Sequence, residues 1–268
     1  MSELVFVKLG GSLITDKAKP LCARREVIAS CAGAIAQALS DGTQLLLGHG
    51  SGSFGHPLAA RYSTRRGVRS PSEWFGFAAV AHAARLLNVL VIGALLEQGV
   101  PAFPIPASAL AIARGGELRS LDCRPLQEAW EAGLLPVTYG DVAFDDEWGG
   151  TIISTDQLFA FLAPRLRPHR IVLATDTDGV FEADPHRFPG AKRYQEIRAG
   201  ECQAVLRQIG AASGPDVTGG MADKVRRMCE LVRSMPGLRV QILSGHVPHV
   251  LAAAIMGRAT EAGTTIVA

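Results

Sequence analysis

The sequence predicts an α/β fold with a mainly parallel central sheet and helices on both faces. Two patterns carry that expectation. Short β-rich apolar runs alternate with longer Ala/Leu-rich segments of helical period. The short runs are apolar throughout rather than at every second residue, as strands covered on both faces are. Composition agrees: 268 residues, 48% apolar and only 19% charged, describe a compact chain with a sizeable core, not a disordered one.

In chain order, strands are expected at 4–9, 44–48, 134–139, 170–175 and 239–244, and helices at 24–42, 74–99, 154–166, 221–235 and 247–257. The longest apolar stretch, 77–96, is interrupted by His82, Arg85 and Asn88, which favours a buried helix over a membrane span. Residues 183–197 are rich in turn formers and read as an extended loop or hairpin. No internal repeat or low-complexity linker divides the chain.

A net charge of +2 with scattered basic residues gives no nucleic-acid or membrane signal. The densest basic stretch, Arg165, Arg167 and Arg170, is explained equally well by a solvated loop. Five cysteines without a C-x-x-C read as reduced thiols of a cytoplasmic protein rather than a disulfide frame or zinc site. The N-terminus lacks the basic and apolar regions of a signal peptide.

Chemistry is expected in the loops that follow the strands, because sites in such folds lie at the carboxyl ends of strands. Four glycine-rich loops qualify. Residues 8–17 (KLGGSLITDK) place Lys8 at a strand end, then Gly10, Gly11 and Ser12, then Lys17. Residues 45–57 (LLLGHGSGSFGHP) hold Gly50, Ser51, Gly55 and His56. In 174–185, Asp176 and Asp178 follow a strand, and in 216–224 (DVTGGMADK) a glycine pair precedes a helix bearing Lys224. Glycines let backbone N–H groups approach phosphate oxygens, and a helix N-terminus adds its positive end. Taken singly, each element has a plain alternative: a turn for the glycine pairs and aspartates, a surface residue for Lys17, a turn residue for His56.

Gly50, Gly52 and Gly55 also spell the dinucleotide pattern G-x-G-x-x-G. That reading needs the first strand-to-helix turn and an acid at a second strand end about 20 residues on. Here the pattern follows the second strand, and the nearest acid, Glu73, is not at a strand end. A P-loop reading fails because His56 stands where its lysine belongs.

Together these residues resemble the amino acid kinase superfamily and, within it, the isopentenyl phosphate kinase family. The resemblance covers nearly the whole chain. It rests on 8–17, 48–56, PVTYGDVAFD at 136–145, STDQL at 154–158, TDTDGVF at 175–181, 216–224 and GTTIVA at 263–268. The GSFGH histidine discriminates best, since superfamily members that phosphorylate carboxylates do not use it. The resemblance implies a three-layer αβα open sandwich forming a single domain over 1–268. Its acceptor-binding part would be about 1–165 and its nucleotide-binding part about 166–268. It also implies a homodimer, with ATP and Mg²⁺ as cofactors and no protein metal ligands.

Carried over by position, Lys8, Lys17 and His56 form the catalytic set, the two lysines flanking the transferring phosphoryl. Gly10, Gly11 and Ser12 offer it backbone donors. Gly50, Ser51, Gly55 and His56 hold the acceptor phosphate, helped by Thr155, while Ser51, Asp176, Asp178, Gly220 and Lys224 serve the ATP side. The chain departs from the family pattern at Gly50-Ser51, where Gly-Gly is common. It departs again at Thr155-Asp156-Gln157, where Gly-Asp-Asp is frequent; one acid, Asp156, remains.

The implied reaction is ATP-dependent phosphorylation of isopentenyl phosphate to isopentenyl diphosphate. Two alternatives stay open: a fosfomycin-type phosphonate kinase, which shares the histidine loop, and a non-catalytic nucleotide-binding sensor. The five-carbon tail would need an apolar slot, expected beside the alanine-rich segment 77–87.

Overall fold

The computed structural model describes residues 3–185, 187–212 and 220–268. Twelve strands are present among them: β1 (Leu4–Leu9), β2 (Gln44–His49), β3 (Ala102–Pro104), β4 (Ala111–Arg114), β5 (Glu117–Leu121), β6 (Leu135–Tyr139), β7 (Asp141–Asp145), β8 (Gly149–Ile153), β9 (Arg170–Thr175), β10 (Glu196–Arg198), β11 (Arg239–Ser244) and β12 (Thr264–Val267). The helices are α1 (Gly11–Ile14), α2 (Arg25–Ser40), α3 (Gly52–Arg61), α4 (Pro71–Glu97), α5 (Ala107–Leu110), α6 (Arg124–Glu131), α7 (Thr155–Leu166), α8 (Cys202–Ala212), α9 (Gly220–Ser234) and α10 (Pro248–Ile255).

Eight strands form the main sheet in the order β10-β12-β11-β9-β1-β2-β6-β3. Every pairing is parallel except β11–β12. The sheet is covered on both faces, as the apolar strands require. Val5, Val7 and Leu9 of β1 pack with α2, α4 and α10 on one side, and Phe6 packs with α7 and α9 on the other. The same alternation turns Lys8 toward α7.

The five expected strands and five expected helices are all present. The shorter strands are not legible in the sequence, because three to five residues carry little apolar signal. Four of them form a second sheet, β5-β4-β7-β8, which the sequence did not suggest. At the expected 183–197 turn, Phe181 and Arg193 form an antiparallel bridge, and the turn's last two residues open β10.

Two expectations about loops are corrected. The GSFGHP segment is not a loop but the first turns of α3. The fourth glycine loop does not follow a strand; it lies between α8 and α9, and its residues 216–219 fall outside the described ones. Helix α4 starts three residues earlier than expected, at Pro71. Ser70 and Glu73 form a capping box with proline in the first turn, a sequence signal that was overlooked. By length and composition alone α4 could cross a membrane. Within the fold Phe77, Val80, Ala84, Leu87, Val91 and Leu95 are buried, while Leu86, Val89 and Leu96 leave an exposed apolar stripe.

Candidate active site

One cleft of about 950 Å³ runs along the carboxyl ends of β1, β2, β6 and β9. Of the residues expected at the site, Lys8, Gly10, Gly11, Ser12, Lys17, Gly50, Ser51, Gly55, His56, Thr155, Asp176, Gly220 and Lys224 line it. Asp178 does not. Its carboxylate pairs with Arg193 and accepts the Ser244 N–H, so it fastens the hairpin loop to the end of β11.

The glycines have a reason beyond approach to a phosphate. A Cβ on Gly11 would stand 2.6 Å from Gly52 N, and one on Gly50 would stand 2.8 Å from Gly11 N. The first two glycine loops therefore lie backbone against backbone, a contact that no larger residue permits. Gly48 does the same for α7. A Cβ there would meet Thr155 Cγ2 at 2.5 Å and the Phe159 ring at 2.9 Å, so α7 rests directly on β2. That contact brings the first turn of α7 over the end of β1.

Asp156, in sequence a lone acid with no assigned role, sits at the centre of the site. Lys8 Nζ donates to Asp156 Oδ2 at 2.6 Å, with side-chain exposures of only 9% and 14%. Burial works to raise the Asp156 carboxyl, but Lys8, Lys224 and Arg227 outweigh it and hold the group below its usual range. Its other oxygen, Oδ1, is buried with no hydrogen-bond partner among the described residues. Lys224 is depressed to about 8, by burial first and then by repulsion from Lys8 and Lys17, against the attraction of Asp156. Lys8 and Lys224 act on Asp156 and Lys17 acts on Lys224, so three ammonium groups and one carboxylate carry a net excess of two positive charges when all are ionised. Such a centre is built to receive anions.

Helix α3 carries the opposite wall. His56 is exposed in it and lines the cleft, whereas His49, at the end of β2, belongs to the core. Burial lowers the His49 pKa and keeps the ring neutral; the ring is bonded to Asn88 at 3.0 Å and stacked on Tyr139. The Thr155 hydroxyl is committed to the His49 carbonyl at 2.6 Å, so this side chain supports the floor of the cleft. Pro57 lacks the N–H that would bond Ser53 O four residues back. That carbonyl instead accepts the Leu21 N–H at 3.1 Å, and Ser53 Oγ bonds both backbone groups of Cys22. The loop bearing Lys17 is thereby docked on α3.

Beyond His56 the lining includes an apolar strip, with Arg65 and Arg66 from the turn after α3 also on the cleft. Ala59 from α3, Val80 from α4 and Ile152 from β8 make up the strip. Of the expected alanine-rich segment 77–87, Val80 reaches the cleft, while Ala83 and Ala84 pack in the interior. Asp141 also lines the cleft; it is buried, and that burial raises its pKa against bonds from Ser108 and Val142.

A mainly parallel sheet whose carboxyl edge opens on Lys8, Lys17, Lys224 and Asp156, facing glycine-backed walls, defines a phosphotransferase of the amino acid kinase type. The family model described as "Amino acid kinase family" matches residues 3–244, and the chain belongs to that family. Within it, the chain is 33% identical to the isopentenyl phosphate kinase of Methanothermobacter thermautotrophicus, the match covering 98% of both proteins. It is 32% identical to that of Thermoplasma acidophilum, over 98% of this chain and all of the other. A solved isopentenyl phosphate kinase structure superposes with a TM-score of 0.83 at 31% identity, covering 98% of this chain and 99% of that one.

Proposed function

We propose that the chain phosphorylates isopentenyl phosphate at the expense of ATP, producing isopentenyl diphosphate for isoprenoid biosynthesis. The observation that carries this reading is one cleft holding the Lys8–Asp156–Lys224 centre on one wall and His56, backed by an apolar surface, on the other. An oxygen of the acceptor phosphate attacks the γ-phosphorus, the bond to the β–γ bridging oxygen breaks, and ADP leaves. A phosphate monoester has its second pKa near about 6 and is mostly dianionic at neutral pH, so no strong base is needed. The work is alignment and neutralisation of charge. Lys8, Lys17 and Lys224 oppose the repulsion between the two phosphates, Asp156 spaces the lysines, and His56 donates a hydrogen bond that orients the acceptor. A five-carbon tail against Ala59, Val80 and Ile152 would contribute roughly 4 kcal/mol at about 0.8 kcal/mol per carbon.

Mg²⁺ suits this donor set as an ion carried on the nucleotide phosphates, whose charge it offsets. Among the described residues no group of three or more His, Cys, Asp or Glu could hold a metal, and Asp156 Oδ1 is the one buried carboxylate oxygen left to approach it. We read the chain as a single domain with its acceptor part over about 1–165 and its nucleotide part over about 166–268. A homodimer would cover the apolar stripe Leu86, Val89 and Leu96 of α4. The five free cysteines suit the cytoplasm.

The test is ADP release with Mg-ATP and a panel of isopentenyl phosphate, dimethylallyl phosphate, fosfomycin, glutamate and UMP. Turnover confined to isopentenyl phosphate and its isomer is the expected result. Activity on fosfomycin alone would replace the substrate, and silence throughout would leave a nucleotide sensor.

A further inference from the structure

A second charged centre lies in the same cleft, on residues with no part in the mechanism above. Arg24 caps the start of α2, and its Nη1 donates to Asp176 Oδ1 at 2.7 Å and to Ser12 O at 3.1 Å, with Leu13 O at 3.5 Å. His246 Nε2 reaches the same Asp176 oxygen at 2.9 Å. These groups come from three separate connections of the sheet: β1 to α2, the turn after β9, and the turn after β11.

The backbone around Arg24 gives the contact its leverage. Arg24 N donates to Ile14 O at 2.8 Å, Thr15 and Ala23 form an antiparallel bridge, and Asp16 N donates to Cys22 O at 2.9 Å. Residues 15–23 are thus a closed hairpin whose base is Arg24 and whose exposed arm carries Lys17. The hairpin rests on Ser53 of α3 through Leu21, Cys22 and Thr15, whose hydroxyl accepts the Ser53 N–H at 3.0 Å. At its base the guanidinium joins it to the carboxylate that follows β9. The same guanidinium bonds the carbonyls of Ser12 and Leu13, which one short turn of helix leaves without partners inside the turn.

We propose that Arg24 is a positioning residue for phosphoryl transfer, clasping the Lys17 hairpin and the Gly10–Ser12 turn to Asp176 so that Lys17 faces the γ-phosphate. The inference rests on the kinase reading above. Asp176 here acts through Arg24, and His246 shares the same carboxylate oxygen. All three contacts come from the one nitrogen Nη1, which meets the carboxylate and the backbone carbonyls together.

The test compares Arg24→Ala with the unaltered protein, on whichever acceptor in the panel the latter turns over. Arg24→Ala should lower kcat about 10- to 100-fold, as misplacement of a transfer group does, while both KM values stay within about 3-fold. Added guanidinium ion should restore part of the lost kcat in Arg24→Ala and none in Lys17→Met. Asp176→Asn should show a smaller kcat loss of the same kind. A kcat within about 2-fold of the unaltered protein would overturn the clasp while leaving the kinase reading intact. So would a loss that guanidinium does not relieve and that tracks a lowered Tm. Silence of the unaltered protein with every acceptor would overturn both.

Discussion

Asp156 and Asp176 face one cleft, yet their surroundings are opposite in kind. Asp156 is nearly enclosed, gives one oxygen to Lys8 and stands among lysines that outnumber it. Asp176 is more exposed, and one of its oxygens is met by both an arginine nitrogen and an imidazole. Both carboxyls lie below their usual range, burial being outweighed by cations in each case. Only the first neighbourhood is left with surplus charge. That surplus makes the Asp156 side a field waiting for an anion and the Asp176 side a joint between chain segments.

The sharpest way to break this contrast is to remove the buried carboxylate. Asp156→Ala should lower kcat by about 10²–10³, the cost of removing one preorganised electrostatic group, as three lysines then repel one another without a spacer. Near-normal ADP release from that variant would demote Asp156 to scaffolding. His56→Ala comes next: acceptor kcat/KM should fall steeply while ATP affinity by calorimetry holds. A loss of ATP affinity with unchanged acceptor kinetics would exchange the two walls.

Gly48→Ala probes the same centre from outside it. Its methyl would press on Thr155 and Phe159 and push α7 from β2, costing about 1–3 kcal/mol and loosening Asp156 from Lys8. Urea titration together with kcat should register both effects. Against pH, kcat/KM for Mg-ATP should decline as pH rises through about 8, where Lys224 gives up its proton in the unliganded enzyme. A profile flat to pH 9.5 would remove Lys224 from the charge centre.

The smallest effect concerns stability. A lysine whose folded pKa, about 8, lies below its ordinary value of 10.5 is charged in both states below pH 8, and its ionisation is then disfavoured by the fold. This group's contribution should therefore improve as pH rises from about 8 toward 10.5. At pH 7, Lys224→Met should raise Tm by a few degrees while abolishing turnover, the usual exchange at a site built for function. A lowered Tm would mean that its attraction to Asp156 outweighs burial.

The central strands and the cleft-lining glycines, lysines and His56 were legible because each carries a local signature: an apolar run, a glycine pair, a lysine at a strand end. What escaped depends on contacts across the chain. Asp156 is one acid in an ordinary capping box until α7 settles on Gly48. Arg24 is one of two adjacent arginines until the turn after β9 arrives beside it. Helix α3 was hidden by Pro57, since a proline six residues into a helix normally argues against one. Asp178, chosen from the same TDTDG stretch as Asp176, turns away because Ser244 and Arg193 claim its oxygens.

Pro57 has one more effect. Because it cannot donate, Ser53 O is open to Leu21, and the helix that presents His56 also seats the hairpin that presents Lys17. Two groups proposed for opposite ends of the reacting pair thus share a mount, so a tilt of α3 carries both together. Their spacing is inherited from one rigid part rather than negotiated between two, and a residue with an N–H at position 57 would put Leu21 in competition for the bolt that joins them.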